Sequence, residues 1–303
     1  MNRRSFIKQS INVTMGAGAS VALAGYPKIL LGAEAYPDLT AVMGAAPDVL
    51  FDRGIEAMGG MRRFIKPNQN VVIKPNIGWD TTPERAADTN PILIRQMITH
   101  CLDAGAKKVY VFDHTADAWQ KCYETSGIKQ AVKQAGGTMV PGNSERHYHR
   151  IQVPKGKILK SAYAHELFLE ADVFINVPVV KNHIATKVTI GMKNLMGVVW
   201  DRGWWHRNDL HQCIADFATY RIPDLTVIDA FRVLKTNGPT GVSDDDTVMM
   251  KALLISRDPV AADTAAAKLI GIDPAGINYI KRATDFDIGT MDLSSLNIRK
   301  IRI

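Results

Sequence analysis

Residues 177–197 concentrate side chains that bind anions and transfer protons. The stretch contains three lysines, two asparagines and one histidine, and it contains no carboxylate. It begins at the end of a mostly apolar run, residues 173–180, which is typical of a buried strand. Cations placed just beyond a buried strand indicate a ligand site rather than solvated surface.

Four predicted strands end in residues of this kind. The residues that follow them are Lys74 and Asn76, Asp113 and His114, Lys181 and His183, and Asp229. Ligands of parallel α/β sheets bind outside the carboxyl ends of the strands. If the strands are neighbours, these side chains meet at one rim of the sheet, and this convergence is the main reason to predict a site there.

Lysine side chains are the predicted binding groups of this site. Lys74, Lys181 and Lys193 are expected to hold anionic oxygens, because an ammonium group offers a positive charge and three donors. Asn76 and Asn194 are expected to fix the orientation of a substrate. The alternative for each lysine is a solvent-facing strand end or the surface of a core helix.

Proton transfer is assigned to His183, Asp113 or His114. Lys181 and His183 lie two residues apart, so an extended segment places both on the same side. A histidine titrates near neutral pH, although a packed histidine that bonds a carbonyl group is the alternative. Asp113 and His114 are adjacent, so we expect only one of them to reach the site, with Asp229 as a further acidic partner.

Several other polar clusters allow two interpretations each. Gly238 and Gly241, in a Gly-Pro-Thr-Gly sequence, are predicted to offer backbone amides to an anion, although the same sequence forms ordinary turns. The three aspartates at residues 244–246 suit a divalent cation or a solvated loop. Residues 147–149, His-Tyr-His, suit zinc or a mobile surface loop. Residues 200–207, rich in tryptophan and arginine, suit a wall over a ligand or an anchored loop.

Strand and helix patterns alternate along the rest of the chain. This alternation predicts an α/β fold, with a mostly parallel sheet covered by helices on both faces, in a single compact domain over residues 36–303. Residues 119–135 are expected to be helical with a break at Gly127. Residues 186–199 are expected to be helical despite their β-branched content. Residues 298–303 are expected to pair at a sheet edge.

The first 35 residues are predicted to be an export signal. Arg3 and Arg4 open a twin-arginine pattern, the span between Lys8 and Lys28 carries no charge, and residues 33–35 supply a small-x-small cleavage site. We therefore expect export to the periplasm by the twin-arginine machinery. The alternative is a permanent anchor, but residues 11–25 are short beside the ~20 residues that span a bilayer.

Charge gives no support to nucleic-acid binding. The signal segment holds four basic residues and one glutamate, so its removal lowers the formal net charge from +7 to +4. No basic stripe with interleaved aromatic residues occurs in the sequence. The expected partners are therefore a small anionic ligand and the export machinery, with no nucleic acid and no permanent membrane span.

Five segments together resemble the bacterial and archaeal family called domain of unknown function 362. They are residues 72–76 (Val-Ile-Lys-Pro-Asn), 176–183 with Lys181 and His183, 189–197 with Lys193 and Asn194, 229–241, and 258–263 (Asp-Pro-Val-Ala-Ala-Asp). The resemblance covers most of the chain after residue 35, and the segments follow the family's order. The family has no established activity as a whole, so the resemblance implies where the site lies and names no reaction.

The sequence contains no cysteine motif for an iron–sulfur cluster or a structural zinc site. Some similar family members carry ferredoxin-type cysteine modules, whereas Cys101, Cys122 and Cys213 are far apart and form no C-x-x-C. The three cysteines allow one disulfide, and the sequence does not indicate which two would form it. The cofactor is unknown, and no metal ligand is assigned.

The leading hypothesis is an exported enzyme that acts on a small anionic substrate. Its catalytic residues would be His183, Asp113 and His114, and its binding residues the lysines, asparagines and glycines named above. The second hypothesis is a non-catalytic periplasmic protein that binds an anion or a cofactor. A third is a metal-assisted enzyme that uses His114 and His183.

Overall fold

The computed structural model describes residues 36–303, and the predicted export signal lies outside this range. The strands are β1 (Leu39–Met43), β2 (Asn70–Pro75), β3 (Lys108–Val111), β4 (Thr138–Met139), β5 (Tyr148–Gln152), β6 (Ser161–His165), β7 (Val173–Val177), β8 (Val179–His183), β9 (Lys187–Thr189), β10 (Leu225–Leu234), β11 (Thr247–Ser256) and β12 (Ile298–Arg302). The helices are α1 (Pro47–Ala57), α2 (Pro91–Asp103), α3 (Trp119–Thr125), α4 (Ile128–Gln134), α5 (Glu166–Glu170), α6 (Gly191–Asn194), α7 (Arg202–Arg207), α8 (Leu210–Ala218), α9 (Pro259–Leu269) and α10 (Asn278–Thr284).

The main sheet has the strand order β12-β1-β11-β10-β7-β2-β3-β4. Strands β10, β7, β2, β3 and β4 run parallel, and β11 is antiparallel to both of its neighbours. Strand β8 continues beside β10, and β9 pairs with β8 as an antiparallel hairpin. The prediction of a mostly parallel sheet is confirmed. Strands β7, β2 and β3 lie side by side, which meets the condition for their ends to converge.

Helices cover both faces of this sheet, as predicted. Successive residues of a strand point to opposite faces, so Val72 of β2 joins one core while Val71 and Ile73 join the other. The first core includes Phe168 of α5, Ile214 of α8 and Ala261 of α9. The second includes Phe51 of α1, Leu93 of α2 and Val132 of α4. Burial on both faces explains why these strands read as nearly continuous apolar runs.

Residues 186–199 depart from the prediction. The segment begins as strand β9 and reaches a helical turn only at α6, followed by a 3₁₀ turn at Leu195–Val198. The β-branched residues Val188 and Thr189 favour the strand, which pairs in the register Lys181 opposite Thr189. The helical prediction was therefore wrong for the first half of this segment, because a hairpin partner outweighs weak helix propensity.

Two local predictions are confirmed. Gly127 separates α3 from α4 with a φ of +72°, a conformation that glycine adopts without strain. The C-terminal strand β12 pairs in parallel with β1 at the edge of the main sheet. The β5–β6 hairpin, a separate two-stranded sheet, was not predicted.

No helix within residues 36–303 combines the length and the apolar character needed to cross a membrane. The three cysteines are free and buried, so no disulfide forms among them.

Candidate functional site

A cavity of about 270 Å³ lies where the carboxyl ends of β2, β3 and β7 meet the β8–β9 hairpin. Seven of the predicted site residues line it, namely Lys74, Asn76, Asp113, Lys181, His183, Lys193 and Asn194. Arg202 and His206 of α7 and Pro239 line it as well. Parallel strand order produces this convergence, since Lys74 pairs in register with Asn176 and Ile73 with Val111.

Lys74 is fully buried and uses all of its donors within the protein. Its Nζ lies 2.8 Å from Asp113 Oδ1, 2.9 Å from Asn194 Oδ1 and 2.6 Å from the Pro75 carbonyl oxygen. Burial lowers the pKa of Lys74, and the adjacent Asp113 carboxylate opposes that shift. A lysine has three N–H donors, so Lys74 has none left for a ligand. The structure therefore gives Lys74 a supporting position rather than the predicted role of holding substrate.

Asparagine side chains form a connected frame behind the cavity. Asn194 Oδ1 accepts from both Lys74 and Asn76, and Asn194 Nδ2 donates to Asn176 Oδ1 at 2.9 Å. Asn176 in turn donates to the Gly191 carbonyl at 2.9 Å. A fully satisfied network of this kind fixes each member. Asn176 was not among the predicted site residues, although one polar residue inside an otherwise apolar strand was an available signal.

Lys181 is held from two directions. Its Nζ donates to Asn76 Oδ1 at 2.9 Å and to the Ala87 carbonyl oxygen. Burial lowers the pKa of Lys181 and raises that of Asp88, and the attraction between the two groups opposes both shifts. Two acceptors leave one N–H of the Lys181 ammonium available. Asp88, which also accepts from the Gly78 and Trp79 amides, lies in a polar loop and offered no sequence signal.

Lys193 differs from the other two lysines. Its side chain is 8% exposed, and the polar atom that its Nζ contacts is Met196 Sδ, at 3.8 Å. Within residues 36–303, Lys193 makes no ion pair. Burial, followed by the positive charges of Lys181, Arg202 and Lys74, lowers the pKa of Lys193 to about 7. The cavity therefore contains a buried amine without a countercharge.

His183 lies two residues beyond Lys181 on β8, on the same side of the strand. Burial lowers its pKa to about 3, and the charges of Lys193 and Lys181 act in the same direction. His183 Nδ1 accepts the Ala185 amide proton at 3.1 Å, so the neutral ring carries its proton on Nε2. The side chain is therefore a neutral imidazole among cations at physiological pH.

The side chains of Asp113 and His114 point in different directions, as expected for two adjacent residues at a strand end. Asp113 lines the cavity and accepts the Ile77 amide at 2.7 Å through Oδ2. His114 does not line the cavity. Its Nδ1 lies 3.0 Å from the Val199 carbonyl oxygen, and its ring stacks on Trp200. The predicted catalytic role of His114 is therefore not supported by its position.

Arg202 anchors α7 over the cavity. Its guanidinium donates to the carbonyl oxygens of His114 at 2.6 Å and Thr115 at 2.5 Å, and burial lowers its pKa. Arg202 lies in the tryptophan-rich segment, residues 200–207. Both interpretations of this segment hold, because it lines the cavity and forms an anchored helix. Trp205 is buried in the core.

The Gly238–Gly241 loop does not form the predicted anion cradle. The Gly238 amide donates to Asn182 Oδ1 at 3.3 Å, and the Gly241 amide donates to the Asn237 carbonyl at 2.9 Å. Gly238 packs so closely on Asn182 that an added Cβ would lie 1.9 Å from its carbonyl oxygen. The two amides are used within the fold, and Pro239 is the residue of this loop that lines the cavity.

The remaining acidic candidates hold backbone in place. Asp246 accepts from the amides of Val242 and Ser243, and Asp229 accepts from those of Asn90 and Phe231. His147 ends a short 3₁₀ turn, and its Nδ1 lies 2.8 Å from Glu166 Oε1. In the part of the chain that the structure describes, no group of three or more histidine, cysteine or acidic residues is arranged to hold a metal ion.

Comparisons with known proteins place the chain among uncharacterised relatives. The model of the family described as domain of unknown function (DUF362) matches residues 71–268, more than half of the chain. The thylakoid-associated protein sll1697 of Synechocystis sp. is 27% identical over 239 residues, which cover 74% of this chain and 70% of that protein.

Two solved structures show a distant likeness. The lactate racemase apoprotein from Thermoanaerobacterium thermosaccharolyticum matches with a TM-score of 0.47 and 14% identity, over 76% of this chain and 56% of that one. A protein from Thermotoga maritima matches with a TM-score of 0.48 and 10% identity, over 74% and 58% of the two chains. The chain thus spans less than two thirds of the length of either structure, and likeness at this level implies no shared reaction.

Proposed function

The chain belongs to the DUF362 family, whose name assigns no reaction, and we propose that it is an enzyme acting on a small anionic substrate in this cavity. Lys193, Lys181 and Arg202 hold the anionic oxygens, and His183 moves a proton. The observation that carries this proposal is the Lys193 amine, which lines the cavity without a countercharge.

The charge balance of the cavity supports an anionic ligand. Asp113 is the carboxylate among the lining residues, and its charge is matched by Lys74 at 2.8 Å. Lys181, Lys193 and Arg202 then give the cavity an excess of positive charge in a desolvated setting, where attraction to an anion is strongest. The Thr189 hydroxyl also lines the cavity, and among the described residues it has no hydrogen-bond partner, so a ligand oxygen would satisfy it.

The size of the cavity limits the substrate. A volume of about 270 Å³ suits a molecule of few atoms, such as a short carboxylic acid or a phosphate. His183 favours catalysis over capture, because it is a titratable ring in the cavity lining whose Nε2–H is left to contact a ligand and whose Nδ1 can accept a proton once it leaves the Ala185 amide. The alternative is a protein that binds the same anions without turnover.

Binding is tested by calorimetric titration of the purified full chain with acetate, malonate, lactate and phosphate. We expect one site per chain, with an affinity that the Lys193→Met variant lowers at least about tenfold, equal to about 1.4 kcal/mol. Lys133→Met on α4 is the matched control, since Lys133 is exposed and lies outside the cavity. Equal affinity in both variants would contradict the proposal.

Turnover is tested by exchange of solvent deuterium into the C–H groups beside the carboxylate of each bound acid, followed by NMR. We expect exchange with the wild type and its loss in His183→Gln. Binding without exchange for every acid that binds would favour the non-catalytic alternative.

The proposal places this activity in the periplasm after twin-arginine export. Arg3 and Arg4, together with the uncharged stretch that follows them, support it. Replacing both arginines with lysine should retain the protein in the cytoplasm, as measured by fractionation and immunoblotting in a host with a working twin-arginine pathway. Unchanged periplasmic accumulation of the double variant would argue against this route.

A further inference from the structure

Lys193 is the one lysine of the cavity lining whose amine is not engaged by oxygen acceptors in the described part of the chain. Lys74 binds three oxygen atoms and Lys181 binds two, whereas Lys193 contacts only the weakly accepting sulfur of Met196. An amine becomes a nucleophile when its lone pair is free, so only Lys193 among the three is placed to form a covalent bond with a ligand.

We propose that Lys193 forms a Schiff base with the carbonyl carbon of a small oxo acid whose carboxylate is held by Lys181 and Arg202. This inference rests on the proposed function, because it requires the same cavity to bind a carboxylate. It adds the substrate class, a short acid bearing an aldehyde or ketone group, and it adds a covalent role for Lys193.

The reaction balances without a bound cofactor. The neutral Nζ of Lys193 attacks the carbonyl carbon, the π electron pair moves to oxygen, and a proton moves from nitrogen to that oxygen to give a carbinolamine. Protonation of the carbinolamine oxygen by a proton taken up from solvent, followed by loss of water, then leaves an iminium ion that joins Nζ to the former carbonyl carbon. The products are one iminium and one water molecule.

The iminium ion gives His183 a defined task. It withdraws electrons from the neighbouring carbon, so a C–H bond there becomes acidic. When Nδ1 of His183 leaves the Ala185 amide and takes that proton, the C–H electron pair forms a C=C bond and the iminium nitrogen becomes neutral. The step requires Nδ1 to exchange the Ala185 amide for the substrate proton, because Nε2 already carries the proton of the neutral ring.

The surroundings of Lys193 support the free-amine form. The charged and titratable groups that share the cavity lining with it are Lys74, Asp113, Lys181, His183, Arg202 and His206. Asp113 is the acid in this set, and its carboxylate forms an ion pair with Lys74 rather than with Lys193. Burial together with the surrounding positive charge lowers the pKa of Lys193 to about 7, so a substantial fraction of the amine is unprotonated at neutral pH.

Reductive trapping tests the inference directly. The full chain is incubated with glyoxylate, pyruvate or 2-oxobutyrate, sodium borohydride is added, and the products are analysed by intact mass and peptide mapping. Hydride addition to the iminium carbon gives a stable secondary amine, so the chain gains the mass of the oxo acid, less one water, plus two hydrogen atoms. We expect one such adduct per chain, on Lys193, with at least one of the three acids.

Control variants separate this adduct from surface chemistry. Lys193→Met should lose the adduct without melting at a lower temperature than the wild type, and Lys133→Met should retain the adduct. Excess phosphate should suppress the adduct in the wild type by competing for the cavity. Absence of a Lys193 adduct with all three acids overturns the inference, as does an equal yield on exposed lysines.

Binding measurements separate failure of this inference from failure of the proposed function. If the oxo acids bind in calorimetry, with affinity that depends on Lys193, but leave no adduct, the anion site stands and the covalent step is wrong. If neither the oxo acids nor the simple anions bind, both proposals are wrong.

Discussion

Lys74 Nζ and Asp113 Oδ1 lie 2.8 Å apart, and the two side chains are 0% and 2% exposed. Lys74 belongs to β2 and Asp113 follows β3, so the pair joins two neighbouring parallel strands where the cavity begins. A buried ion pair compensates the desolvation of both groups only while both are present. The pair therefore makes the floor of the cavity sensitive to the loss of either charge.

Asp113→Asn is expected to destabilise the fold by about 3–5 kcal/mol, because it leaves the buried Lys74 ammonium without its countercharge. Urea unfolding followed by circular dichroism measures the change. The matched control is Glu124→Gln, which removes an exposed ion pair to Lys129 of similar length and should change stability by about 0–1 kcal/mol. Equal losses of stability in the two variants would show that the buried ion pair contributes no more to stability than the exposed one.

Gly197→Ala is expected to disrupt the same pair by steric contact. An added Cβ at this position would lie 1.8 Å from Asp113 Oδ1 and 2.6 Å from Lys74 Nζ. We expect a loss of stability of about 1–3 kcal/mol, typical of overpacking, together with weaker anion binding in calorimetry. Gly276→Ala is the control, since its added Cβ would meet only the flexible end of Lys187. Wild-type affinity in Gly197→Ala would contradict this role for Gly197.

The convergence of the site could be predicted from sequence because it depends on one general rule. Lys74, Asp113, Lys181 and His183 follow buried strands, and parallel strands bring their carboxyl ends to one edge. What each residue does there could not be predicted. Lys74 turned out to be saturated and Lys193 free, and that difference depends on acceptors contributed by distant residues such as Asn194.

Two cavity-related residues, one strand and one loop were also not predicted correctly, and each has its own physical reason. Asp88 and Arg202 lie in a loop and a short helix, where no periodic pattern constrains the direction of a side chain. Strand β9 depends on pairing with β8, a partner that local propensity does not reveal. The Gly238 loop has a sequence that suits an anion cradle, yet its amides bond within the fold.

The pH dependence of stability should report the burial of Lys193. Its pKa is about 7 in the folded chain and about 10.4 in an unfolded one, so between these values the unfolded chain binds more protons and wild-type stability rises with pH. Lys193→Met lacks this contribution. As pH rises from about 7 to about 10, the stability of the wild type relative to the variant should increase, by up to about 1.4 kcal/mol per pH unit.

Urea unfolding at several pH values measures this difference. Lys133→Met serves as the control and should differ from the wild type by an amount that changes little over the same range, because Lys133 is exposed. Parallel stability curves for the wild type and Lys193→Met would mean that Lys193 is charged in the folded chain at pH 8, which would remove the basis for a nucleophilic amine.

Asp263 of α9 holds the turn that carries Lys193. Its carboxylate accepts the Gly191 amide at 2.7 Å and the Met192 amide at 3.0 Å, and it is fully buried. In Asp263→Asn one of these acceptors becomes an N–H₂ group that faces an N–H donor. We expect this to destabilise the fold by about 1–3 kcal/mol and to weaken anion binding, since α6 positions both Lys193 and Asn194.

The effect of Asp263→Asn on stability should itself depend on pH. Burial raises the pKa of Asp263 to about 7, so its contribution is fully present below about pH 4 and is lost as pH rises through about 7. The asparagine does not titrate, and the stability gap between wild type and variant should therefore narrow between pH 4 and pH 7. The exposed Asp273→Asn is the control, with unchanged anion affinity expected. A gap that stays constant from pH 4 to pH 7 would show that Asp263 is already ionised in the folded chain over this range, and would contradict the expected protonation.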